Sequence, residues 1–146
     1  MSFFSKPKPK KKAVKGIKKS TKLEWVVDEP LQREMEEIIA HLGMDHIRSK
    51  RVYCYRTSGS KARAYARIWS FPKIFQKVLD IEPAYVMEII SEKFNRLNAD
   101  EKKKVIIHEL LHIPKNFSGS LLPHSYGHTQ IEKKVNVLYD KYINSQ

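Results

Sequence analysis

The chain has 146 residues, 41% of them apolar, which is the size of one ordinary domain and enough to bury a core without staples. Its single cysteine, Cys54, excludes an internal disulfide and any cysteine-built zinc ribbon or finger, and no apolar run approaches the length of a membrane span. The formal charge of +12 is unevenly placed: nine lysines and no acidic residue lie between Lys6 and Lys22, and the remaining 19 basic residues face 16 acidic ones, a balance of only +3.

In chain order, residues 1–22 read as a lysine-rich tail and residues 23–146 as a single folded domain. A run of Lys, Pro and Ser cannot bury enough apolar surface to order itself, so the tail is expected to be disordered. Lys8, Lys10, Lys11, Lys12, Lys15, Lys18 and Lys19 form a candidate electrostatic arm for nucleic acid such as DNA, since each lysine that meets a phosphate releases condensed counterions. The competing readings are a solubilising tail or an arm for another polyanion. Met1 to Lys12 contains no apolar h-region, so the expectation is a soluble, cytoplasmic protein with no membrane association.

After the tail, Trp25 to Val27 suits a short strand. Pro30 then opens a helix whose Met35, Ile38, Ile39 and Leu42 form one apolar stripe, stopped by Gly43. Arg51 to Thr57 and Ala62 to Trp69 are rich in Tyr, Val, Ile and Arg and flank Ser58-Gly59-Ser60, which predicts a hairpin. On its second arm Arg63, Tyr65, Arg67 and Trp69 alternate onto one face, a pattern able to stack and neutralise single-stranded nucleic acid; a solvated sheet face is the competing reading. Pro72 to Ile81 is ambiguous between a short helix and an irregular connection. Ala84 to Ile90 is the strongest strand, and an edge position there would let it hold an extended peptide.

Asn98 with Glu101 forms a capping box, predicting a helix from about Ala99 to His112, closed by Pro114. That helix carries His108-Glu109-Leu110-Leu111-His112, an HExxH pattern. At i and i+4 two imidazoles project from one face and can share a metal ion, while the intervening glutamate is angled toward a water that the metal activates. The surrounding Ile106, Ile107, Leu110 and Leu111 imply burial, and a buried His-Glu-His face needs a partner, for which Zn2+ is the simplest choice. A catalytic zinc site takes three protein ligands and keeps one position open.

Candidates for the third ligand follow in the loop from Lys115 to Gly127. A metzincin spacing would need histidine six residues after His112, where Ser118 stands. His124 is preferred, because the loop can turn at Gly119 and Pro123 and bring it back. His128 is the second choice and Glu132 the third, although Glu132 also suits a capping box with Thr129 that would open a last helix with Ile131, Val135, Leu138 and Tyr142 on one stripe. Tyr126 and His128 are candidate donors to a developing oxyanion. His41 and His46 read as surface or capping residues.

The stretch from His108 to His124, with its Pro123-His124 pair, resembles the metallopeptidases of archaea and phages, a group similar to the SprT-like zincin family. The resemblance covers Trp25 to Tyr142. It implies metal ligands at His108, His112 and His124, Glu109 as the catalytic acid/base, and a zincin-like α+β fold with a small mixed or antiparallel sheet packed on the active-site helix and a C-terminal helix. It further implies a zinc-dependent peptidase acting on a protein or peptide substrate, and SprT-like proteases act on proteins attached to DNA. The readings from other classes are a nucleic-acid-binding protein with a structural zinc, and a zinc hydrolase acting on a non-peptide bond.

Overall fold

The computed structural model describes residues 22–124 and 128–146, and of residues 128 and 129 the backbone only. The lysine arm, Tyr126 and the side chains of His128 and Thr129 therefore lie outside the described residues, as does the capping box expected of Thr129. The architecture is α+β: β1 (Glu24–Val27), α1 (Glu29–His41), β2 (Val52–Ser58), β3 (Ala66–Ser70), α2 (Lys73–Leu79), β4 (Tyr85–Ile90), α3 (Ser91–Phe94), α4 (Ala99–Leu110) and α5 (His128–Asn144), with a 3-10 turn over Ser49–Arg51. Among the described residues no helix is long and apolar enough to cross a membrane.

The strands form one mixed sheet in the order β1-β2-β4-β3, antiparallel except for the parallel pair β2 and β4. This corrects two expectations. β2 and β3 are not a hairpin, because β4 is inserted between them. Nor is β4 an edge: Val52 to Thr57 pair along one side of it and Ala66 to Ser70 along the other. Five of its six residues are buried, as befits a strand flanked on both sides by neighbours. The edges are β1 and β3.

α1 and α4 start where their local chemistry dictates. Asp28 caps α1 by accepting from the Leu31 amide at 3.0 Å, and Arg56 reaches the same carboxylate at 2.8 Å, which ties the helix to β2. Past the helix Gly43 takes a φ of +60°, a left-handed position that glycine adopts without the strain a Cβ would add. In α4 both halves of the predicted capping box are present. Its last α-helical residue is Leu110 rather than His112; the final turn tightens, with the His112 amide donating to the Glu109 carbonyl at 3.1 Å and the Ile113 amide to Leu110 at 3.1 Å.

Met35 and Ile38 of α1, Val52 and Cys54 of β2, Tyr85, Met87 and Ile89 of β4 and Ile106, Ile107 and Leu110 of α4 make one continuous core. α5 packs on α4 through buried Val135 and Tyr142, with Ile131 and Leu138 partly buried beside them, as the predicted stripe requires. Burial pushes the Cys54 thiol up to about 12, so it serves the core as a small apolar group. The Arg63 to Trp69 stretch enters the sheet only at Ala66.

Candidate metal centre

α4 and the tightened turn that follows it deliver His108, Glu109 and His112 to a groove of about 1040 Å³ bordered by α4, the edge strand β3 and the segment Leu121 to His124. His108 is half-buried, His112 and Glu109 are buried, and His124 is exposed. The Nε2 atoms of His108 and His124 stand 3.2 Å apart, those of His112 and His108 3.4 Å, and the ligand atoms of all three residues lie within 4.8 Å of one another. In a tetrahedral site with bonds of about 2.0–2.1 Å, neighbouring ligand nitrogens are about 3.3 Å apart. The donor set therefore fits a metal ion, and the triad could hold one.

The tautomer of His112 is fixed. Its Nδ1 is 2.7 Å from the Leu122 carbonyl, which only accepts, so Nδ1 carries a proton and Nε2 is the nitrogen turned toward the centre of the triad. Glu109 packs under β3. Burial pushes its carboxyl up to about 7, against the opposing effect of a hydrogen bond from the Ile68 backbone N–H. That N–H belongs to the free edge of the sheet, so the same strand that borders the groove also orients the carboxylate.

His124 is placed by tertiary pins. The Tyr85 hydroxyl, reaching out of β4, accepts from the Gly119 amide at 2.9 Å and donates to the Ser120 carbonyl at 2.8 Å. Gln76 of α2 donates to Ser118 O at 3.0 Å and to Phe71 O at 2.7 Å, and the Leu122 amide donates to the His112 carbonyl at 2.8 Å. Gly119 sits at φ +88°, and a Cβ there would fall 2.1 Å from Gln76 Nε2 and 2.7 Å from Phe71 O, so the turn needs glycine on both counts. Phe117 stacks edge-to-face on Tyr85, with centroids 5.0 Å apart.

The structure thus brings together His108, Glu109, His112 and His124. Glu132 borders the same groove from α5 without joining the histidine cluster. His41 contacts the Glu37 carbonyl at 2.8 Å and the Tyr142 ring, on the far helix, and takes no part. Sequence reasoning missed Tyr85, Gln76 and the Leu122 carbonyl. Tyr85 reads as core in any strand pattern, and only a buried tyrosine's need for a hydroxyl partner hints at more.

The arrangement defines a class: a small α+β domain with a histidine triad able to hold a metal beside a buried carboxylate. Residues 23–142 match the family described as "Putative phage metallopeptidase", and the chain belongs to that family. No match was found among curated proteins or among solved structures. The family's description implies a metal ion and a metal-dependent hydrolase.

Proposed function

We propose that the protein is a zincin-like, zinc-dependent peptidase in which His108, His112 and His124 hold the ion and Glu109 is the general base and acid. The observation that carries this reading is the convergence of three imidazole nitrogens beside a buried glutamate, in a groove bordered by a free strand edge. When bound, zinc supplies a Lewis acid that brings the pKa of a water towards about 7 and polarises the scissile carbonyl. Glu109, one residue on from His108, takes the proton from the attacking water and returns it to the leaving amine, and a carboxyl poised by burial suits both transfers. The Ile68 N–H holds that carboxylate in place. β3, not β4, is the strand positioned to pair with an extended peptide, its outer edge lying along the groove. Proteins attached to DNA are the proposed substrates, the lysine-rich arm from Lys6 to Lys22 supplying the affinity for the nucleic acid.

The test is elemental analysis for zinc per chain together with peptidase assays. One zinc per native chain, largely lost in His124→Ala, is expected. In Glu109→Gln zinc should be retained while cleavage falls about 10²–10⁴-fold. Retention of zinc by His124→Ala would move the third ligand to His128 or Glu132, and undiminished cleavage by Glu109→Gln would remove the proposed base. A chain that binds zinc and nucleic acid but cleaves nothing would fit the binding protein with a structural zinc.

A further inference from the structure

The two faces of the sheet differ in kind. Val52, Cys54, Met87 and Ile89 point into the core, whereas Trp25 and Val27 of β1, Tyr53 and Tyr55 of β2, and Arg67 and Trp69 of β3 alternate onto the opposite face. There Trp25, Tyr53 and Trp69 remain 59%, 41% and 51% exposed, and Tyr65, entering β3, 48%. Two arginines accompany the rings: the Arg67 guanidinium lies 5.3 Å from the Trp69 ring centre, and Arg51 lies 5.9 Å from that of Tyr53 while donating to its hydroxyl at 3.0 Å.

At the middle of this face sits Glu88, buried, accepting from Thr57 Oγ1 at 2.6 Å and from Trp69 Nε1 at 2.6 Å, with Arg67 Nε at 3.3 Å. The Trp25 side chain is a further donor to it. Burial alone would raise its pKa, but these hydrogen bonds and the Arg67 charge outweigh burial and hold the carboxyl below the usual carboxylate range. Its charge is compensated inside the face, and both of the chain's tryptophans are fixed in orientation by it.

We propose that this face of the sheet is a stacking platform for single-stranded nucleic acid, with bases on Trp25, Tyr53, Trp69 and Tyr65 and with Arg51 and Arg67 beside the rings. Three arguments select this occupant. Flat rings exposed beside arginines serve any unpaired base, since every base has a π-face, whereas the bases of a duplex are already stacked on one another. Nine lysines end at Lys22, three residues before Trp25, so the polycationic segment begins where the platform does. A second copy seated on this face would bring its own nine lysines, which likewise end three residues before Trp25, toward the first nine. The inference concerns binding and holds whether or not the groove hydrolyses peptides.

The experiment is a titration of the full chain with a twelve-nucleotide oligo(dT) and with a duplex of equal length, read by tryptophan fluorescence and by anisotropy of a labelled strand. Saturable quenching is expected, with the single strand bound more tightly than the duplex. Trp25→Ala with Tyr53→Ala should weaken binding about ten-fold or more, while Tyr53→Phe, which keeps the ring, binds as the native chain does. Acrylamide quenching of the native protein gives a reading independent of any variant's folding: both indoles should be shielded in the saturated complex. Unshielded indoles, or an unchanged affinity in the double variant, would place binding on the lysine run alone and overturn the proposal. Preference for the duplex would overturn it too, as would concentration-dependent self-association abolished by Trp25→Ala.

Discussion

The candidate metal centre is built in two halves by different means. His108 and His112 are set by the covalent repeat of a helix: four residues bring the two rings to one face, and the capping box at Asn98 and Glu101 fixes where that helix begins. His124 belongs to an irregular segment whose position is enforced from outside by Tyr85, Gln76 and the His112 carbonyl. The first half is local, set by the four-residue spacing and by a cap in the same segment. The second depends on a few directed hydrogen bonds from strands and helices distant in sequence, so it is where the centre is most easily lost while the fold survives.

The sharpest way to break this contrast is Gly119→Ala. The added methyl meets Gln76 and the Phe71 carbonyl and also imposes a left-handed backbone on alanine, which together cost about 2–5 kcal/mol. Thermal unfolding should show that loss, and zinc affinity should fall by at least the 10–100-fold typical of a lost supporting contact. Tyr85→Phe is milder, because it keeps the packing against Phe117 and removes only the hydroxyl that serves Gly119 and Ser120. A loss of about 1–3 kcal/mol is expected, with weakened zinc binding and unchanged helical circular dichroism. The smallest effect belongs to the helical half. Asn98→Ala removes the cap at the far end of α4 and should cost about 1 kcal/mol of stability while leaving zinc affinity as it was. A fall in affinity with Asn98→Ala comparable to that with Tyr85→Phe would erase the distinction between the halves.

The same division explains what the sequence could convey. α1, α4 and the apolar stripe of α5 are readable because their signals, caps and a 3.6-residue period, are carried by neighbours in the chain. Gly119 as a turning point of the loop is readable for the same reason. The sheet order is not. Ser58-Gly59-Ser60 is an ordinary turn signal, but the pairing of β2 with β3 loses to a parallel partner, β4, whose largely buried run takes the inner position of the sheet. The Arg67 and Trp69 alternation is correctly located in the sequence; that Glu88 lies opposite, with Trp25 and Tyr53 extending the face, depends on strand pairings between distant segments. Tyr85 and Gln76 carry no local mark of their service to the loop.

The insertion of β4 between two earlier strands also has a consequence for the order of assembly. As the chain leaves the ribosome, β1 and β2 emerge first and have each other as partners, whereas β3 has none until Tyr85–Ile90 arrives to join it to β2. The HELLH segment and the pinned loop follow still later, and the loop's Tyr85 anchor is in that same late strand. All four strands thus precede His108, His112 and His124 in the chain, and the scaffold that brings the three histidines together is synthesised before any of them.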